Sequence, residues 1–200
     1  MRNGFTLSEA LITIVLLGLV VALTTPRLIQ NYKNRQFATT IQKFTVDFAE
    51  AIDTYMLEED KVRFDQTKFI TDTSNGVDDF VRRSFKVGRS CDNAGACFNT
   101  FYRNLDNSSN NTSVMICNRN IAYTLVNSTT ICIDVEDETA HVVVDINGPS
   151  GPNKGGRDLY NFNLDPRTGH IIDEIANRCG TDVEGSGCIN RLETNEWIMN

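Results

Sequence analysis

The chain has 200 residues, 40% of them hydrophobic, with 19 basic and 26 acidic side chains and a formal net charge of −7. That balance argues against a broad phosphate-binding footprint, because nucleic-acid binders carry a basic stripe, and the one short basic pair is Arg82-Arg83. No nucleic-acid partner is expected.

Behind the opening Met1-Arg2-Asn3-Gly4, the run from Phe5 to Thr25 is 21 residues of almost unbroken apolar sequence. As a helix it measures about 31 Å at ~1.5 Å per residue, enough to cross a bilayer once. Arg2 lies before it and Arg27, Lys33 and Arg35 after it, so the distribution of positive charge gives no firm orientation. Glu9 is the one charge inside the run. A carboxylate there costs roughly 2.5 to 3.5 kcal/mol on insertion scales and calls for a partner. A cleaved signal peptide fits poorly: a single basic residue precedes the core, Ala22-Leu23-Thr24 is a weak small-residue site, and Glu9 interrupts the apolar segment. A plain anchor helix is the other simple reading.

Gly4-Phe5-Thr6-Leu7-Ser8-Glu9-Ala10-Leu11 resembles the N-terminal processing and methylation motif of type IV prepilins and type II secretion pseudopilins. The resemblance implies a leader of residues 1–4, cleavage between Gly4 and Phe5 by a prepilin peptidase, and N-methylation of Phe5. It also implies that Glu9 neutralises the terminal amine of a neighbouring subunit as helices pack into a filament. In a low-dielectric core that pairing offsets a desolvation cost of several kcal/mol per ion. The implied partners are the peptidase, homologous pilin or pseudopilin subunits and an inner-membrane assembly platform. The implied location is the bacterial inner membrane, single-pass, with the head in the periplasm or outside, and later a pilus or pseudopilus. Losing Arg2 with the leader leaves 18 basic against 26 acidic side chains, a formal −8.

Pro26 follows the membrane-length segment and tends to kink a helix at the preceding turn. The helical pattern resumes beyond it. Phe37, Ile41, Phe44, Phe48, Ala51, Ile52 and Tyr55 draw one apolar stripe, with Gln42, Lys43, Asp47, Glu50 and Asp53 opposite. One long helix is predicted over Phe5–Leu57, residues 5–25 spanning the membrane and 26–57 continuing as an amphipathic half that packs on a head of residues 58–200. In the head, Ser74–Lys86 reads as an amphipathic helix capped by Ser74. An Asn- and Ser-rich loop runs from Leu105 to Ser113. Strand-like runs follow at Val114–Cys117, Ile121–Val126, Thr130–Val135, Ala140–Ile146, Leu159–Leu164 and His170–Asp173. The expected fold is α+β: a long N-terminal helix on an antiparallel sheet, the pilin-like arrangement.

Six cysteines, Cys91, Cys97, Cys117, Cys132, Cys179 and Cys188, all lie beyond the apolar segment, which suits an oxidising compartment. Six cysteines allow 15 connectivities. Local pairs are expected: Cys91 with Cys97, Cys179 with Cys188, and Cys117 with Cys132 across neighbouring strands. Cys179, Cys188 and a following Trp197 also look like the C-terminus of many pilin-type heads. No Cys-x-x-Cys spacing supports zinc.

The Gly- and Pro-rich stretch Asp145–Asp158 carries Asp145, Asn147, Asn153 and Asp158, oxygen ligands of the kind calcium takes. The spacing is not that of an EF-hand, and a tight connection built of turn formers is the preferred reading of the composition. A calcium loop late in the head is what the resemblance to major pseudopilins implies. Neither His141 nor His170 has a nucleophile motif near it, so no enzymatic activity is expected. The sequence thus points to a structural filament subunit, with a membrane-tethered extracytoplasmic binding domain that never polymerises as the rival.

Overall fold

The computed structural model describes residues 6–72, 74–106, 121–173, 179–181 and 183–199. α1, Leu7–Glu58, is one helix of 52 residues. It starts two residues later than the apolar run suggests because Thr6 is held extended, at φ −81° and ψ 150°, as its N-cap. Pro26 sits inside α1 without ending it. Proline supplies no N–H to the turn before it, and there the hydroxyls of Thr24 and Thr25 donate to the carbonyls of Val20 and Val21 at 2.9 and 2.6 Å. No side chain from Leu7 to Gln36 is buried; from Ala38 on, Ile41, Phe44, Phe48, Ile52 and Tyr55 are.

That buried stripe lies on a sheet that has six strands among the described residues: β1 (Val87–Cys91), β2 (Ala122–Leu125), β3 (Thr130–Glu136), β4 (Thr139–Asp145), β5 (Leu159–Leu164) and β6 (Ile171–Ile172). Spatial order follows chain order and every neighbouring pair is antiparallel, a simple meander. The expected strand Val114–Cys117 lies outside the described residues. β3 and β4 are joined by Asp137 and Glu138 at φ 48° and 64°, the positive-φ pair of a two-residue hairpin whose twist matches the strands.

Because side chains alternate across a strand, the central strands feed two cores. Ile131, Ile133, Val135, Val142, Val144, Tyr160, Phe162 and Leu164 join the α1 stripe. Cys132, Val143, Ala122 and Leu159 face the other way and meet Cys91, Ala94, Cys97, Phe98 and Tyr102. Phe48 centres the larger core, fully buried, with the rings of Phe44, Phe80, Phe85 and Phe162 at 5.5 to 6.0 Å. Such ring pairs contribute about 0.5 to 1.5 kcal/mol each beyond the area they bury.

Two short helices close this core. α2 (Lys68–Thr71) and α3 (Gly76–Ser84) bring Phe69 and Phe80 to within 4.9 Å of each other. Ser74 does not cap α3. The Asp72 carboxylate takes the N–H groups of Ser74 and Asn75, both at 3.1 Å, and the helix begins at Gly76. Glycine is needed there, since a Cβ would stand 1.9 Å from the Lys68 carbonyl oxygen. α4 (Cys188–Thr194) follows β6, and its first turn is held by Asp173, which accepts from the N–H of Gly187, Ile189 and Asn190 at 2.5, 2.8 and 3.0 Å.

Candidate functional site

Glu9 occupies the third position of α1. Its Oε2 accepts from the Thr6 N–H at 2.9 Å and the Thr6 hydroxyl at 2.7 Å, while its own N–H donates to Thr6 Oγ1 at 3.3 Å. This reciprocal capping box satisfies two of the orphan donors at the start of the helix. Glu9 is therefore seated by Thr6 of its own chain. The Thr-x-x-Glu spacing that announces such a box was present in the sequence. Gly4 and Phe5 lie outside the described residues.

Beyond Glu9 the apolar side chains stand in the open: Ile14, Leu17, Leu19 and Leu23 are each more than half exposed. Among the described residues, α1 is the one helix long and apolar enough to cross a membrane, and no part of that stretch is buried within the chain. An apolar surface of this length, uncovered in water, demands lipid or other helices.

A second candidate site lies at the far end of the sheet, in the connection between β4 and β5. Register pairs Asp145 with Leu159, and the Ile146 N–H donates to the Asp158 carbonyl at 2.9 Å, so the two aspartates stand together at the mouth of the loop. Both are fully buried. Asp145 accepts from the Tyr102 hydroxyl at 2.6 Å and from the Asn147 N–H at 3.1 Å. Asp158 accepts from the N–H groups of Asn153 and Lys154, each at 2.6 Å. Burial first, then the Asp158 charge, pushes the Asp145 carboxyl up to about 8. Burial pushes Asp158 up to about 6, against the N–H groups that hold its charged form.

Asn147 directs its amide nitrogen to the carbonyls of Ser150 and Gly151 at 2.6 and 3.1 Å. The Oδ1 atoms of Asn147 and Asn153 are buried without a hydrogen-bond partner among the described residues. Unpaired buried oxygens are costly, and two of them near two crowded carboxylates are the chemistry a hard cation satisfies. Asp145, Asn147, Asn153 and Asp158 thus fit such an ion by ligand type, although among the described residues no three His, Cys, Asp or Glu side chains converge. Tyr102 belongs with this group, and nothing in the sequence around it signalled that.

The loop is fastened at its back. Arg157 donates to Asn34 Oδ1 and places its guanidinium over the Phe37 ring at 6.0 Å, tying the loop to α1. Gly156, at φ 78°, rests on the bridge between Cys179 and Cys188; a Cβ there would meet Cys188 Sγ at 2.3 Å. Cys91 is joined to Cys97 on the second face of the sheet. Loops this short restrict the unfolded chain by about 2 to 3 kcal/mol in the chain-entropy account. Cys132 is also disulfide-bonded, and Cys117 lies outside the described residues. The histidines are apart: His141 Nδ1 meets Asn163 Oδ1 at 2.5 Å, while His170 Nε2 lies 3.7 Å from Asp53 Oδ1.

No curated protein and no solved structure matches the chain. Residues 1–25 match the family model of the prokaryotic N-terminal methylation motif. The long apolar helix on an antiparallel sheet is the α+β, pilin-like arrangement, and by its first 25 residues the chain carries the motif characteristic of the type IV pilin and pseudopilin family.

Proposed function

We propose that the chain is a structural subunit of a type IV pilus-like or type II secretion pseudopilus filament. A prepilin peptidase removes residues 1–4 after Gly4, Phe5 becomes the methylated terminus, and residues 5–25 hold the subunit in the inner membrane with the head of residues 58–200 outside the cytoplasm. An assembly platform then packs α1 against the helices of other subunits. The observation that carries this reading is Glu9, the sole charge in a membrane-length apolar helix that begins inside the matched motif. In the unassembled chain Thr6 supplies its hydrogen bonds; in a filament core the neighbour's α-amine supplies the counter-charge that desolvation demands. Mass spectrometry of the mature N-terminus, combined with Glu9→Val, tests it. A Phe5 start with an added methyl group and loss of filaments in the variant are expected. A retained Met1, or no filaments from the parent chain, would establish the rival, a tethered binding domain that does not polymerise; filaments indifferent to the substitution would refute the role given to Glu9.

A second reading concerns the β4–β5 loop and is favoured by the two orphaned amide oxygens. Asp145, Asn147, Asn153 and Asp158 hold a divalent cation, calcium by the preference for oxygen ligands. The ion would neutralise the paired carboxylates and fix the loop against α1 through Arg157. Thermal melting with and without chelator tests it, and an unchanged midpoint leaves the loop as a turn.

A further inference from the structure

The exposed face of α1 beyond the apolar segment is sorted by charge. Lys33, Arg35 and Lys43 come first, and Asp47, Glu50, Asp53 and Glu58 follow, all solvent-exposed, with no charge of the other sign between members of either set. Asp53 faces His170, and Glu58 lies 3.7 Å from Arg83. Lys43, Asp47 and Glu50 form no ion pair among the described residues. At about 3.6 residues per turn these three fall within roughly 60° of one another around the helix. Val46, 51% exposed, lies beside them. Asp47 and Glu50 also line an open groove of about 400 Å³ between α1 and α3, walled by Arg83 and Phe85.

From this arrangement we infer that Lys43 of one copy docks between Asp47 and Glu50 of a neighbouring copy of the same chain, and that this contact fixes the axial stagger of adjacent helices. The inference rests on the filament reading above and names the contact that sets its geometry. Two parallel copies in register place Lys43 beside Lys43 and Glu50 beside Glu50, which is repulsive. Displacing one copy outward by four to seven residues, about 6 to 10 Å at ~1.5 Å per residue, brings its Lys43 level with Asp47 and Glu50 of the other. The spacing from Phe5 to Glu9 is also four residues. A neighbour whose terminal amine reaches Glu9 is therefore displaced in the same direction and by four residues, the lower end of that range.

The two contacts lie about 57 Å apart along the helix, from Glu9 to Asp47 at ~1.5 Å per residue, one in the apolar segment and one at the head. Each sets the same stagger in a different solvent. Across the outer contact Val46 supplies apolar area, and the sorted charges reject the in-register alternative.

The test uses the full-length chain in cells that carry the processing and assembly machinery. Lys43→Glu alone, and Asp47→Lys with Glu50→Lys, are each expected to reduce filament yield on the order of tenfold, since like charges are then juxtaposed. The three reversals together should restore it to within about twofold of the parent, because the complementarity is regenerated with opposite sign. Two differently tagged copies, one Lys43→Cys and one Glu50→Cys, should cross-link to each other under mild oxidation in preference to either with itself. Normal yield from the single reversals, or failure of the combined variant to recover while its head melts like the parent, overturns the proposal. The parent chain, processed and examined for filaments, separates the two readings. Filaments from the parent with an inert Lys43 series refute this contact alone, whereas no filaments from the parent refute the filament reading and this contact with it.

Discussion

Raising the pH should weaken the head when divalent cations are removed, the reverse of what paired carboxylates usually do. Asp145 and Asp158 are buried together, with folded-state values of about 8 and about 6 against an ordinary value of 3.8. A carboxyl whose folded value lies above its unfolded value holds a proton that the unfolded chain has released. Its contribution is fully present below 3.8 and is lost as the pH climbs through about 6 and then about 8. For Asp158 alone, roughly two pK units at ~1.36 kcal/mol each give a loss of about 3 kcal/mol by the upper end of that window. In a head of some 140 residues that is a fall in Tm of about 10 °C, taking ~2.1 cal/mol/K of unfolding entropy per residue.

The assay is thermal melting of the full-length chain in detergent, followed by near-ultraviolet circular dichroism, at about pH 5 and about pH 7.5 in chelator. Asp145→Asn keeps an oxygen for the Tyr102 hydroxyl while removing one charge, so it should melt higher than the parent at the upper pH and show a flatter profile. Millimolar calcium should raise the parent's melting temperature at the upper pH and leave Asp145→Asn less affected. A midpoint in chelator that rises or stays level between the two pH values would refute the account of a crowded, desolvated pair.

Phe48→Ala should cost about 3 to 5 kcal/mol, read as a reduced urea midpoint at unchanged slope, because four rings surround a side chain that has no exposed surface. Replacing Asp137-Glu138 by Asn-Gly should stabilise the head by up to about 1 kcal/mol in the same assay, since Glu138 now occupies a positive φ that glycine adopts without strain. Asp173→Ala should destabilise by about 1 to 2 kcal/mol and open the C-terminal turn to amide exchange first, because the N–H groups of Gly187, Ile189 and Asn190 at the start of α4 lose their acceptor.

The long helix was legible because Phe37, Ile41, Phe44, Phe48, Ile52 and Tyr55 repeat at its period, and β2 to β5 because their β-branched runs are bounded by turn residues. β1 was not legible: Val87-Gly-Arg-Ser-Cys91 is an edge strand with three exposed positions and an irregular step in its register at Val87 to Arg89, so it shows neither alternation nor an apolar run. α4 escaped for a different reason. Its first turn is satisfied by Asp173, 14 residues before Gly187, a contact that no local spacing encodes. Ser74 misled because Asp72 takes the N–H groups of Ser74 and Asn75, and the helix begins beyond them at Gly76. In the candidate site, Asp145 and Asp158 stood out by composition, whereas Tyr102, Asn34 and Arg157 were assembled around them only by the tertiary fold.

The seat of Gly156 against the sulfur of Cys188 gives the acidic loop and the C-terminal bridge a common wall. Joining Cys179 to Cys188 therefore does two jobs, sealing the tail and building the floor on which the loop closes. Reducing that bridge would leave the loop without its floor, and the damage would surface first as lost grip between Arg157 and α1, at the far end of the chain from either sulfur.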